Sequence, residues 1–402
     1  MAAAILIVAV GAVYFYLRSK RLTDFEPLIR EKIQSLVKEG SKGLYHIDIG
    51  KIDIDVLASK VLLENIHLGY DTVLYKQQDS ATAPGDLFDV SVSRLEIDGL
   101  TPLDILKKKN LRLNLLEINN PVVHVHHYFG NREKVKDSTT LYERITKQIG
   151  SFGIKELQLK NASIDFINLK SGSEDHFPEI NITLNDFLID ASTQNDTSRF
   201  FYAKDADISV VKYSRRTADS LYTLRLDSVN IQAVHKEVTI KKFQLLPTLS
   251  KAAFRKTLPV RKDRFEIVFS DIKITNINWW GMIAGDIVSI GEILLANGKA
   301  EVYSDKTLPK GKNPGNGNYP QQKLFKTNMP IHIQKINIKN LDFIYAEFNE
   351  DSYKEGKIYF QNTDAVISNI TNIPQHIAIN PMLTIDAHIL KSFPVPVWKD
   401  QS

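Results

Sequence analysis

The chain matches itself. With Tyr45 set on Tyr222, a shift of 222 − 45 = 177, one register runs without gaps as far as Val125 on Val302. In the first stretch Ile47 lies on Leu224, Ile49 on Leu226, Ile52 on Val229, Ile54 on Ile231, Val61 on Val238, Leu63 on Ile240, Ile66 on Phe243 and Leu68 on Leu245. In the second, Phe88 lies on Phe265, Val90 on Ile267, Val92 on Phe269, Leu95 on Ile272 and Ile97 on Ile274. Further on, the segment from Ile154 lies on that from Ile333 at a shift of 179, and Ile180 to Ile189 lies on Ile358 to Ile367 at 178. A repeat of this length constrains a fold strongly, because one architecture has to satisfy both copies.

Apolar and polar residues alternate in both copies, the pattern of half-buried strands, and Asn, Asp and Gly punctuate them as turns. Each copy reads as six to nine short strands with one short helical connection, Pro102–Lys109 in the first and Trp279–Gly285 in the second. The Pro- and Gly-rich run from Lys306 reads as a loop; its counterpart from Asn131 to Gln148 is charged and partly helical in pattern. Strands with one apolar side need one face covered, and a sheet that curls around that face extends by adding strands. The expected fold is therefore mainly β: an elongated, curled antiparallel sheet of two tandem repeats, about twenty strands at ~4.8 Å spacing. The expected segments are 1–21, an anchor; 22–44, an amphipathic helix and linker; 45–221, the first repeat; and 222–402, the second.

Ala2 to Leu17 are sixteen uncharged, mostly apolar residues. As a helix they rise roughly 24 Å, a little under the ~30 Å hydrocarbon core. Tyr14 and Tyr16, then Arg18, Lys20 and Arg21, have the order of an interfacial belt and a charged stop, so a single membrane-spanning helix is expected. A cleaved signal peptide is the alternative, but no small-x-small site precedes the charges. The flanking charges taken alone place the following body in the cytoplasm. From Asp24 to Lys38, Ile29, Ile33, Leu36 and Val37 form a stripe of helical period, with Gly40 placed to end it.

These features together, the anchor, the amphipathic helix, the strand pair IDIGKIDIDVLASKVLLENIHL and the segments VSRLEIDGLTPLDIL and LLEINNPVVHV, resemble the N-terminal region of AsmA-like proteins of the Gram-negative envelope. That family is related to the repeating β-groove, bridge-like lipid transfer proteins. The resemblance implies an inner-membrane anchor, a periplasmic body with an apolar interior, envelope proteins as partners, and a part in phospholipid transport or outer-membrane maintenance. It carries no catalytic residues and no cofactor. Groove-lining candidates that bind phospholipid acyl chains are Ile47, Ile49, Ile52, Ile54, Val90, Val92, Leu95 and Ile97, with Leu224, Leu226, Val229, Ile231, Ile267, Phe269, Ile272 and Ile274 in the second copy. Members of the family are commonly longer, so the chain reads as a fragment ending where a third unit would begin. The contrasting expectation is a periplasmic scaffold or stalk that binds proteins and no lipid.

Other chemistry is thinly represented. A balance of 51 basic against 47 acidic residues gives +4, too little for a bulk grip on nucleic acid, and no long basic run occurs. The absence of cysteine excludes disulfides, thiolate metal sites and a cysteine nucleophile. No phosphate-binding glycine loop, nucleophile elbow, zinc-protease helix or dinucleotide fingerprint is present, and no enzyme activity is expected. His124, His126 and His127 offer ligand-like strand spacing, but Glu301 and Tyr303 stand at the matching positions, which favours a tolerant polar face. Asp53 with Asp55, and Glu350 with Asp351, read as solvated strand and turn residues, and Trp279 and Trp280 as packing residues of the second helical connection.

Overall fold

The strands begin where the sequence alternates and end where asparagine, aspartate and glycine accumulate. The computed structural model describes residues 25–395 except 56, 79–82, 100–109, 129–141, 144–149, 170–171, 218 and 311–323. The protein is mainly β, with fifteen strands in one sheet among the described residues, fewer than the twenty the repeat suggested. Its contacts divide it into two units, 1–210 and 211–402, the division falling eleven residues before Tyr222, the predicted start of the second copy (222 − 211 = 11).

The first unit opens with α1 (Phe25–Gly40), then β1 (Tyr45–Asp55), β2 (Lys60–Tyr70), a short α2 (Thr72–Gln77), β3 (Asp86–Asp98), β4 (Asn110–Asn119), β5 (Val122–His127), β6 (Ser151–Asn168), β7 (Ser173–Ile189) and the start of β8 (Asp205–Arg216), within which the division falls. The second runs β9 (Tyr222–Gln232), β10 (Glu237–Pro247), α3 (Lys251–Thr257), β11 (Arg264–Ile277), α4 (Trp279–Ala284), β12 (Val288–Asp305), β13 (Ile331–Phe348), β14 (Glu355–Thr371), α5 (Pro374–Ile379) and β15 (Thr384–Val395). The order of strands is the same in both, with β4 and β5 together standing where β12 is continuous; Asn120 and Pro121 make the break. The helical connection expected at Pro102–Lys109 lies outside the described residues, whereas α4 is present, its first turn closed by the Asn278 side chain accepting from the Gly281 N–H at 3.1 Å. The expected anchor also lies outside the described residues, among which no helix is long and apolar enough to cross a membrane.

The expectation of a wholly antiparallel sheet needs correcting. β4 and β5 pair with β6 in parallel, and so does β12 with β13. Parallel neighbours cannot be joined by a hairpin and need a connection of a dozen or more residues. The two parallel junctions fall at the two longest connections, after His127 and after Asp305, where the sequence showed its charged and its Pro- and Gly-rich runs.

A line of irregular residues crosses each unit. In the first it runs Gly50, Asn65, Ser93, Asn120, Asn161, and the ladder pairing lapses at each. In the second it runs Asp227, Lys242, Ser270, Asn297, Asn340. Asn65, Asn120, Asn161, Lys242, Asn297 and Asn340 all have φ between 48° and 54°, the left-handed region that asparagine tolerates better than most residues. One such residue bends a strand and shifts its alternation by one, as a bulge does. Inward residues are therefore spaced two, three, two on β2, Val61 and Leu63, then Ile66 and Leu68, about Asn65, and the strands paired with it keep step: Ile47 and Ile49, then Ile52 and Ile54; Val90 and Val92, then Leu95 and Ile97. Without the step of three, half of each apolar set would point to the wrong face.

The tyrosines that begin each register make matching contacts. Tyr45 Oη accepts the Phe88 N–H at 3.1 Å, and Tyr222 Oη accepts the Phe265 N–H at 3.2 Å. Burial pushes both phenols above their ordinary pKa.

Candidate functional site

The sheet's apolar face is assembled as rungs, because residues paired across neighbouring strands point to the same side. In the first unit Ile49, Ile66 and Val92 form one rung, and Ile54, Val61 and Ile97 another. In the second unit Ile231, Val238, Ile274, Ile293, Ile336, Ile367 and Ile385 continue through seven strands, six steps of ~4.8 Å or roughly 29 Å. The neighbouring rung is Val229, Ile240, Ile272, Leu295 and Ile338, and the next, across the irregular line, contains Leu226, Phe243, Phe269, Gly298 and Leu341, where the Phe269 ring lies over Gly298 and a side chain would collide with it.

The two faces differ in cover. In the first unit Ile47, Ile49, Ile52, Val90, Val92, Leu95 and Ile97 are buried in one cluster with Ile29, Ile33 and Val37 of α1, and Ile54 packs against its rim. Ile29 and Ile33 are wholly buried. The stripe read from the sequence is thus the packed side of α1, whose Gln34 and Arg30 donate to the Ile47 and Gly50 carbonyls of β1 at 3.0 and 3.3 Å. Gly40 is the last helical residue, and the turn away is made by Lys42 and Gly43 at positive φ. Among the described residues no such helix precedes β9. There Leu224, Leu226, Val229, Ile231, Ile267 and Ile274 are only half-buried, and of the predicted set only Phe269 and Ile272 are buried.

The second unit's face is bounded at one end by α3. Phe254 is buried edge-on to Tyr222, with ring centres 6.3 Å apart. Lys251 pairs with Glu301 and, at 2.7 Å, with Glu355, and lies 4.8 Å over the Tyr303 ring. Burial first, then the charge of Asp305, pushes the Tyr303 phenol up to about 12. Despite its burial, Glu355 is held below the usual carboxylate range by hydrogen bonds from Lys251 and Lys357. This rim is a polar clamp whose members neutralise one another, an arrangement suited to fixing structure. At the other end of β11, Trp279 is buried with Nε1 donating to the Ala233 carbonyl at 3.1 Å, whereas Trp280, Met282 and Ile283 are each 38% exposed. The packing reading holds for Trp279 and needs correcting for Trp280, because a six-residue helix turns adjacent side chains to different sides.

The remaining candidates disperse. His124 Nδ1 lies 3.0 Å from Asp165, His126 Nδ1 lies 3.0 Å from the Tyr70 hydroxyl, and His127 Nδ1 lies 2.6 Å from Asp86. Each imidazole has its own partner. Burial, then the charge of His124, lowers the pKa of His126. Asp53 faces Lys51 at 3.7 Å, Asp55 accepts from the Ala58 N–H, and Asp351 sits in a turn capped by Asn349. A grouping that the sequence reading did not single out is His46, Asp48 and His67, on the outer face of β1 and β2. Its signal was the His-x-Asp pair opposite a His-x-Gly pair, visible only once register is known.

No family model and no curated protein matches the chain. Among solved structures it has a slight similarity to the central domain of yeast acetyl-CoA carboxylase, with 9% identity and a TM-score of 0.11, covering 94% of this chain and 52% of the other. The chain thus spans about half the length of that structure, and the likeness carries no argument about fold or function.

Proposed function

We propose that this is a membrane-anchored, lipid-handling protein of the bacterial envelope, in which the apolar face of an elongated curled sheet takes acyl chains. The observation that carries the reading is the contrast in cover. Matching positions are sealed under α1 in the first unit and half-open in the second. An apolar face without a covering layer leaves a free-energy gain of about 25 cal/mol per Å² for whatever apolar surface fills it. The seven-strand rung ending at Ile385 offers such a surface with no charged residue in it. The resemblance to AsmA-like proteins supplies the remaining expectations: an inner-membrane anchor at Ala2–Leu17, a periplasmic body, phospholipid as ligand and outer-membrane maintenance as the role.

A second reading, a scaffold that binds proteins and no lipid, is favoured by the sealed core of the first unit. The two are separated by purifying the full chain from cells, extracting lipid and measuring native mass. Photo-crosslinkers are placed at Val229 and, as the sealed counterpart, at Ile52. Stoichiometric phospholipid crosslinked at Val229 and not at Ile52 is the expected result. Lipid-free protein, or equal labelling at both positions, overturns the groove and leaves the scaffold.

A further inference from the structure

The outer face of the first unit carries a side-chain cluster that the lipid reading does not use. His46 and Asp48 are alternate residues of β1 and both exposed; across the ladder, Gly69 of β2 stands opposite His46, and His67 opposite Asp48. One ligand atom from each of His46, Asp48 and His67 lies within 4.8 Å of the others. Two imidazoles and a carboxylate are the donor set of open three-ligand zinc sites.

Two further features point the same way. Gly69 is a cradle: a Cβ there would lie 2.9 Å from Cε1 and Nε2 of His46 and 3.2 Å from Cε1 of His67, so any side chain would push into the space the two rings share. Asp89 of β3 lies behind His67, its carboxylate 3.3 Å from Nε2, the outer-shell partner that orients metal-bound histidines and leaves the other ring nitrogen for the ion. The backbone beneath is rigid, since Ile47 and Ile49 alternate with the cluster and are buried in the core.

We propose that His46, Asp48 and His67 form a binding site for a divalent transition-metal ion of the zinc class, with Asp89 as positioning residue and water completing the coordination. Tetrahedral ligation at about 2.05 Å sets donors about 3.3 Å apart. From separations of 4.8 Å or less the cluster closes by at most about 1.5 Å to reach this, a rotamer adjustment for exposed side chains. Such an ion ties β1 to β2 at the end of the sheet where α1 docks, over the sealed core of the first unit, and is independent of the lipid proposed for the second unit.

The test is calorimetric titration of the chelator-treated full chain with zinc chloride at about pH 7.5, where unperturbed imidazoles are neutral. The absorption spectrum of the cobalt form reports coordination. One equivalent is expected, with tetrahedral cobalt bands. His46→Ala and His67→Ala each weaken binding at least tenfold and Asp89→Asn by about tenfold, while His124→Ala and His176→Ala leave it unchanged. Absence of saturable binding overturns the site. So does equal weakening by His124→Ala, which identifies the uptake as that of scattered surface histidines.

Discussion

Replacing Asn340 by valine and, separately, by glycine tests whether the line of left-handed residues holds the strands in their bent form. Asn340 has φ of 54°, donates from Nδ2 to Asn297 Oδ1 at 2.9 Å, and its backbone N–H donates to Asp364 Oδ1 at 2.9 Å. Valine forfeits the side-chain hydrogen bond, about 0.5–1.5 kcal/mol, and, being β-branched, lacks the tolerance of the left-handed region that asparagine has, a further cost of about 1–2 kcal/mol. The sum is about 1.5–3.5 kcal/mol. Glycine loses the same hydrogen bond but adopts this φ freely, so it is less harmful by about 1–2 kcal/mol, part of which its unfolded-state entropy takes back. The assay is urea unfolding followed by tryptophan fluorescence, which reports the second half selectively because the three tryptophans are Trp279, Trp280 and Trp398. With a slope of about 2 kcal/mol per molar, the two midpoints separate by about 0.5–1 M. If valine is tolerated as well as glycine, the backbone conformation at position 340 is not what sets the bend.

Other outcomes follow from the same structure. Ile33→Ala removes a wholly buried side chain from α1 and should destabilise the first unit by about 2–5 kcal/mol, read as lost amide protection in β1 and β2 with the second unit unchanged. Burial and then the neighbouring His376 lower the pKa of His332, so below about pH 6.5 the unfolded chain binds a proton that the folded chain resists. The second unit should therefore lose stability as pH falls through that range and stop losing it below the folded pKa, a slope that His332→Gln flattens in urea midpoints taken across pH. Trp280→Ser, at a 38% exposed position, should leave the unfolding midpoint nearly unchanged, whereas Trp279→Phe lowers it by losing the bond to Ala233.

Much of the fold is local and was therefore legible. The apolar positions at Ile47, Ile49, Ile52 and Ile54, and their matches 177 residues later, gave the strands, the repeated order and the side that faces inward, since burial has to follow alternation. The stripe on α1 likewise announced its packed side. Two things stayed hidden. The step of three between Ile49 and Ile52 was in plain view, but its meaning depends on Gly50 lying opposite Asn65, which is a statement about register. The parallel junctions were hidden because one strand's sequence does not reveal the direction of its neighbour; only the long connections after His127 and Asp305 hinted at them.

The sequence by itself determined that the chain builds strands with one apolar side and builds the same succession twice. Only the tertiary structure decided that this side is sealed in the first unit and half-open in the second, because cover is supplied by α1, an element outside the repeat. It also decided that His46, Asp48 and His67 meet over Gly69. Residues about twenty apart become neighbours when the ladder fixes which pairs face each other, and no single-strand pattern encodes that pairing.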